Sequence, residues 1–83
     1  MCAAPYALHK AEVLNENYTC YPSIEKKIKE NGYHKKDAIV IDNDVITSQG
    51  PATAMAFALE IVNLLCEKEI YNRVKDGLLA KDY

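Results

Sequence analysis

Apolar residues recur at intervals of three and four along the first part of the chain, which is the spacing of one face of an α-helix. Residues 3–14 follow this pattern, with Pro5 in the first turn, where a missing N–H removes no hydrogen bond. A second, more charged segment begins after Ser23 and ends at Asn31–Gly32, residues that favour a helix stop. The pattern therefore predicts two helices in the first third of the chain.

The same spacing is strongest over residues 54–65, where further apolar residues make the predicted helix apolar nearly all round. A helix with so little polar surface is typical of a position that is buried on most sides. We expect Cys66, which follows directly, to lie in the core as well. Residues 67–83 favour a final helix that weakens at Gly77.

Three short segments are rich in β-branched and aromatic residues, which favour strands. Residues 18–21 predict a strand that ends at Pro22. Residues 38–41 and 45–47 predict a hairpin, because the intervening Asp42–Asn43–Asp44 is composed of turn-forming residues.

Residues 48–51 predict a corner between the hairpin and the apolar helix, with Ser48 capping that helix. The order of elements is helix, strand, helix, two strands, helix, helix, which indicates an α/β fold. Three strands are few for four helices, because a buried parallel sheet must be paired at its strands and covered on both faces. We therefore expect the rest of the sheet to lie in sequence that this chain does not contain.

Composition narrows the class of protein. The 83 residues, 49 % hydrophobic and 27 % charged, suit one globular domain. The net charge of −2 and the interleaving of lysine with glutamate predict no nucleic-acid partner. No apolar run reaches the roughly 18 residues of a membrane span, so we expect no membrane association. Three widely spaced cysteines predict a reduced, cytoplasmic protein without a disulfide framework or a metal site.

Cys2 is the strongest chemical candidate, because it stands where the first predicted helix begins. The unpaired N–H groups and the dipole at that end of a helix favour a thiolate, which is the nucleophilic form of cysteine. A buried, inert thiol is the alternative interpretation. Cys20 is expected either to pack in a sheet or to act as a secondary oxidation site, and His9 is expected at the surface or at an interface.

Two segments together resemble the ThiJ/PfpI superfamily. Cys2–Ala3–Ala4–Pro5 before a helix is similar to its nucleophile elbow, and residues 46–54 before an apolar helix are similar to its corner motif. Residues 18–22 and 42–45 fall between them in the matching order. The resemblance implies a flavodoxin-like sandwich, of which residues 1–83 would form the carboxy-terminal part of a single domain whose amino-terminal half is absent.

The resemblance also implies site residues. Cys2 would be the reactive thiol, the Ala3 backbone N–H would help to stabilise an anion, and a pocket would be formed by Tyr21, Gln49, Gly50 and Pro51. Members with protease or glyoxalase-III-like chemistry typically carry histidine where this chain has Ala3, so the chain is more similar to the branch of YajL-like chaperones and parkinsonism-associated deglycases. It departs from the family at Tyr21, where some members have histidine, and at Ala52, a common glycine position.

The implied function is that of a cysteine-dependent stress-response protein with redox, deglycase, glyoxalase-like or chaperone activity in the intact parent. The resemblance implies no cofactor, a homodimer, and an acidic partner for Cys2 in the amino-terminal half, so we expect this chain by itself to be inactive. The alternative is a non-catalytic folding or interaction module that associates through its apolar surface. An unpaired sheet edge would favour such association.

Overall fold

The computed structural model describes residues 1–80. Its regular elements have the predicted order, except that the first predicted strand is missing: α1 (Ala4–Lys10), α2 (Glu25–Ile28), β1 (Ile39–Asp42), β2 (Val45–Ser48), a 3-10 turn (Pro51–Thr53), α3 (Ala54–Leu65) and α4 (Lys68–Gly77). The fold is a mixed α/β arrangement with a small two-stranded sheet. The described residues do not contain the sandwich itself, so that part of the fold class stays a prediction.

The first two helices are shorter than predicted. Residues in the left-handed region follow each one, Glu12 with a φ of 61° and Lys29 with a φ of 62°, and such residues end a helix. Leu14, the last predicted helical residue, lies beyond α1 in irregular backbone and still packs against the core. The apolar spacing therefore identified a core contact correctly but extended the helix too far.

The strand predicted over residues 18–21 is wrong as an element. Only Tyr18 pairs in strand fashion, in an isolated parallel bridge to Tyr33, where its N–H donates to the Gly32 C=O at 3.0 Å. A strand needs consecutive partners along a neighbouring backbone. Here the next groups bond elsewhere, because the Thr19 N–H donates to the Thr47 hydroxyl at 2.8 Å and no ladder can continue.

The hairpin is confirmed, with bounds shifted by one residue. β1 and β2 are antiparallel, in a register that places Asp42 opposite Val45 and Ile39 opposite Ser48. Their two-residue turn places Asn43 at a φ of 55°, which asparagine tolerates better than most residues. The turn-forming residues therefore predicted the position of the turn.

The main core is formed within the first half of the chain. Tyr18, Cys20 and Ile28 are fully or almost fully buried, and four partly buried residues pack against them: Tyr6, Leu14, Ile24 and Tyr33. Tyr18 also makes a tilted ring contact with Tyr33, with 5.8 Å between centroids. This core joins α1 and α2 to the bridge and so holds the amino-terminal residues in place.

The expectation that residues 54–65 are buried on most sides is wrong. α3 buries only Ala56 and Leu59, and its opposite surface exposes Met55, Ile61, Leu64 and Leu65. Cys66 is exposed as well, which corrects its predicted place in the core. The final helix ends at Gly77, and the last three residues of its predicted range lie outside the described residues.

Replacing Thr47 with valine should lower the free energy of unfolding by about 1–3 kcal/mol. The Thr47 hydroxyl accepts the Thr19 N–H, and a valine of nearly the same shape would leave that N–H buried without an acceptor. Urea denaturation of both proteins measures the difference. Thr19→Val is the matched control and should cost less, since it removes only one donor to the partly buried His34 C=O. Equal losses in the two variants would contradict the role of the Thr47 bond.

Candidate functional site

The backbone of Cys2 is strained. Its φ is 61°, in the left-handed region that residues with a side chain rarely occupy. Two hydrogen bonds hold it there: the Cys2 N–H donates to the Ser48 C=O at 3.0 Å, and the Cys2 C=O accepts the Tyr21 N–H at 2.9 Å. Strain of this kind persists only where the surroundings fix it, and it is often found at functional sites. Ser48, at the end of β2, and Tyr21 thus hold the backbone that carries this thiol.

The start of α1 offers less to an anion than its sequence predicts. The helix has only seven residues, and the Ala4 N–H in its first turn already donates to the Met1 C=O at 3.1 Å. Ala3 is the N-terminal cap and is exposed. Its N–H remains the predicted donor to an anion beside Cys2, because it is the first amide after the thiol.

Tyr21 and Gly50 lie against each other next to this elbow. A Cβ added to Gly50 would lie 3.4 Å from Cδ2 of the Tyr21 ring, which is ordinary van der Waals contact. Gly50 is buried, whereas the Tyr21 side chain is half exposed. The hydrogen bond from the Tyr21 N–H to the Cys2 C=O and the position of the Tyr21 ring beside Gly50 bring Cys2, Tyr21 and Gly50 close together.

The other two predicted pocket residues contribute differently. The Gln49 side-chain amide donates to the Lys35 C=O at 2.9 Å, and the Gln49 backbone N–H donates to the Ala38 C=O at 3.1 Å. This glutamine therefore fastens the corner to the loop before β1. Pro51 is exposed and begins the 3-10 turn. Both residues shape the corner, and the part of it that touches Tyr21 is Gly50.

Thr53 is a positioning residue that the sequence interpretation missed. Its hydroxyl accepts the Gly50 N–H at 3.2 Å and donates to the Gly50 C=O at 2.8 Å, which closes the corner. Ser48, the predicted helix cap, instead makes a short hydrogen bond to the same Thr53 hydroxyl. Neither the 3-10 turn nor α3 has a hydrogen bond from the side chain of its N-cap residue, and on the 3-10 turn Thr53 instead accepts the N–H of the N-cap residue Gly50. The only signal for Thr53 was its place three residues after Gly50, the spacing of a capping interaction.

Cys20 and the exposed Cys66 occupy opposite environments. Cys20 has no exposed surface, and burial raises the pKa of its thiol from 9.0 to about 11, with the negative charges of Glu25 and Cys2 adding to the shift. Desolvation disfavours the thiolate because a charged sulfur loses more hydration than a neutral one. All three cysteines are free thiols.

Alkaline conditions should destabilise the fold through Cys20. Between pH 9 and 11 the unfolded thiol has lost its proton while the folded thiol keeps it, so stability falls as pH rises, by up to about 1.4 kcal/mol per pH unit. Tyr18, whose pKa burial raises from 10.0 to about 12, adds a second decline above pH 10. Urea midpoints at about pH 8, 9, 10 and 11 measure the slope. Cys20→Ala should flatten it between pH 9 and 10, and an unchanged slope would contradict this assignment.

A polar groove lies elsewhere on the surface, away from Cys2. It has a volume of about 830 Å³ and lies between the end of α1 and residues 30–32; Cys2, Tyr21 and Gly50 are not among its lining residues. His9 borders it, with Nδ1 3.8 Å from Oε1 of Glu30, and is partly exposed as predicted. Among residues 1–80 no group of three or more histidine, cysteine or acidic side chains could hold a metal ion. Within the same range, no helix is long and apolar enough to cross a membrane.

Comparison with known proteins gives one consistent result. A family model described as the DJ-1/PfpI family matches residues 1–64. "Glutathione-independent glyoxalase DJR-1.2" of Caenorhabditis elegans is 42 % identical over 83 residues, covering 98 % of this chain and 45 % of its own length. "Glutathione-independent glyoxalase DJ-1" of Schizosaccharomyces pombe is 34 % identical over 79 residues, covering 94 % and 41 %.

The solved structures agree with this result. The crystal structure of Drosophila melanogaster DJ-1beta superimposes with a TM-score of 0.90 at 38 % identity, covering 98 % of this chain and 45 % of that one. This chain therefore spans less than half the length of the relatives it matches.

Proposed function

The chain belongs to the DJ-1/PfpI family, in its DJ-1 branch, and from that membership we propose that it is part of a cysteine-dependent protein that removes reactive carbonyl compounds. The observation that carries the proposal is the Cys2 backbone, held at a φ of 61° by Ser48 and Tyr21 within the residues that match the family. Two relatives are described as glutathione-independent glyoxalases. Without glutathione, an enzyme that acts on reactive carbonyl compounds needs a nucleophile of its own. We propose that Cys2 is this nucleophile.

The proposed first step is addition of the Cys2 sulfur to the aldehyde carbon of an α-oxoaldehyde. A carbon–sulfur bond forms, the carbonyl π electrons move to oxygen, and that oxygen takes up a proton to give a hemithioacetal. The Ala3 N–H is the proposed donor to the oxygen while it is negative. Tyr21, half exposed over Gly50, forms the wall along which the substrate lies.

The proton transfers that follow need an acid or base beside the thiol. We assign this group to an amino-terminal half, for which the relatives' greater length leaves room. The same reasoning makes this chain inactive by itself. We also propose a cytoplasmic location, because three free thiols suit a reducing compartment.

The test uses two samples: the chain alone, and the chain mixed with the amino-terminal half of DJ-1beta as a separate polypeptide. Methylglyoxal consumption should be slow in the first sample and should rise in the second. The rise must depend on Cys2, whose substitution is considered in the Discussion. Full activity of a Cys2→Ser mixture would overturn the proposal.

A second candidate function is that of a non-catalytic interaction module. α3 exposes several apolar side chains, α4 exposes Ile70, and a cleft of about 360 Å³ lies between β1 and these helices. Contiguous exposed apolar surface is typical of interaction sites. We propose that it is covered by the amino-terminal half and, in the whole protein, by a second copy as a homodimer.

Sedimentation velocity distinguishes this candidate. The chain alone should self-associate as its concentration rises, and Leu64→Glu with Leu65→Glu should shift it towards monomer, since both side chains are exposed. A monomer at every concentration would contradict association through this surface.

A further inference from the structure

Two of the three thiols lie on backbone segments that are hydrogen-bonded to each other. The Tyr21 N–H donates to the Cys2 C=O at 2.9 Å, and Cys20 is the residue directly before Tyr21. A disulfide needs α-carbons about 4.4–6.8 Å apart. Cys20 is not itself the hydrogen-bonded residue, but its α-carbon lies only about 3.8 Å along the chain from that of Tyr21, which is bonded to Cys2. Cys66 lies after α3 on an exposed surface and does not share this hydrogen bond.

The two neighbouring thiols differ in their access to solvent. Cys2 is partly exposed, whereas Cys20 has no exposed surface, so an oxidant in solution reaches Cys2 first. The negative charge of Cys2 is one of the causes that raise the pKa of Cys20, and the two sulfurs are therefore within electrostatic reach of each other. Residues 19–22 belong to no strand, so rotation of the Cys20 side chain breaks no sheet ladder.

We propose that Cys20 is a resolving thiol, which forms a disulfide with Cys2 after a hydroperoxide has oxidised Cys2. The inference rests on the proposed function only in taking Cys2 as the reactive thiol. The proposed carbonyl chemistry joins Cys2 to the substrate and to no other group of the protein, so the disulfide adds a redox-controlled state to the same site.

The chemistry proceeds in two balanced steps. The Cys2 thiolate attacks one peroxide oxygen, a sulfur–oxygen bond forms, the oxygen–oxygen bond breaks, and the leaving hydroxide is protonated to water. Cys2 is then a sulfenic acid, oxidised by two electrons, and the peroxide is reduced. Next the Cys20 sulfur attacks the Cys2 sulfur, the sulfur–oxygen bond breaks, and the hydroxyl leaves as water with the Cys20 proton.

The disulfide protects Cys2 from a less reversible fate. Without a resolving thiol, a second peroxide would convert the sulfenic acid to a sulfinic acid, which thiol reductants do not reverse. With Cys20 in place, a dithiol reductant restores both thiols. The bond would also close a loop that contains the whole of α1, and constraining such a loop raises the melting temperature in the chain-entropy account.

Tryptic mapping tests the inference, because Lys10 separates the two cysteines. The 83-residue chain is treated with hydrogen peroxide, blocked with iodoacetamide and digested without reductant. We expect residues 1–10 linked to residues 11–26, a product that dithiothreitol removes. Cys66 falls in a third peptide, residues 37–68, so its oxidation is read separately. Fragment spectra distinguish oxygen on Met1 from oxygen on Cys2.

Two variants complete the design. Cys20→Ser should abolish the linked peptide and raise the yield of Cys2 sulfinic acid several-fold at the same peroxide dose. Cys66→Ser is the matched control and should leave both products unchanged. The inference is overturned if Cys2 of the wild-type protein is oxidised to the sulfinic acid and no linked peptide forms at any peroxide dose. If Cys2 stays unmodified while Cys66 is oxidised, the reactive thiol of the proposed function is overturned instead, and the inference falls with it. The wild-type map decides the outcome even if Cys20→Ser does not fold.

Discussion

Replacement of Gly32 by alanine should prevent the chain from keeping its native structure. A Cβ at this position would lie 1.5 Å from the Glu16 backbone oxygen, 2.6 Å from the Glu16 backbone carbon and 3.3 Å from the Asn17 Cα. These are backbone atoms, so no side chain can turn aside to make room. The Gly32 C=O also accepts the Tyr18 N–H in the bridge that anchors the core. We expect a loss of at least about 3 kcal/mol, which is a large part of the stability of a small domain.

Circular dichroism and urea denaturation measure this effect, and Gly77→Ala is its control. Gly77 ends α4, and a Cβ there would meet no atom within 4 Å. Alanine is favoured over glycine in helices by roughly 0.5–1 kcal/mol, so Gly77→Ala should be neutral or stabilising. If the Gly32→Ala protein unfolded at the same urea concentration as wild type, the close approach of residues 16 and 32 would be refuted.

Cys2→Ser should abolish the consumption of methylglyoxal by this chain mixed with the amino-terminal half of DJ-1beta. The expected loss in kcat/KM is at least about a thousandfold. Serine preserves the shape of the side chain and the hydrogen bonds of the elbow, but its hydroxyl is hardly ionised at neutral pH. The fold should therefore be intact while the addition step fails. Methylglyoxal consumption measures the loss, and circular dichroism verifies that the variant is folded.

Two further variants, one at Cys66 after the end of α3 and one at Cys2, distinguish a chemical role of the Cys2 thiol from a structural one. Cys66→Ser changes an exposed thiol and should keep full activity. Cys2→Gly relieves the strain of a positive φ, so it should match or exceed the melting temperature of wild type while losing activity. A Cys2→Gly protein that is both inactive and much less stable would indicate that the thiol is mainly a packing group.

Local features of the chain were predictable because their causes are local. The hairpin followed from turn-forming residues between two β-branched runs, and α3 followed from its apolar spacing. The motif around Cys2 identified the family, and the structure brings Cys2 together with Tyr21 and Gly50. The turn places Asn43 at a dihedral angle that asparagine tolerates, and hydrogen bonds from Asn15 and Asn17 to Asp42 add to its support.

Other features depend on which segments meet. Residues 18–21 have the composition of a strand but lack a continuous partner, so only Tyr18 pairs. The Gln49 side-chain amide donates to the C=O of Lys35, a partner that lies 14 residues earlier in the chain. Cys66 was expected in the core on the basis of its apolar neighbours, yet that end of α3 is uncovered by the described residues. Periodicity reports how apolar a face is, not whether another element covers it.

The sequence by itself determined the hairpin, the longest helix, the family and the identity of its candidate thiol, because each rests on residue types at short spacing. Only the tertiary structure decided the strained backbone of Cys2, the closure of the corner by Thr53, the burial of Cys20 and the need for glycine at position 32. Each of these is set by groups distant in sequence or by backbone conformation. Hydrogen bonds and close approaches of that kind leave no periodic trace in the chain.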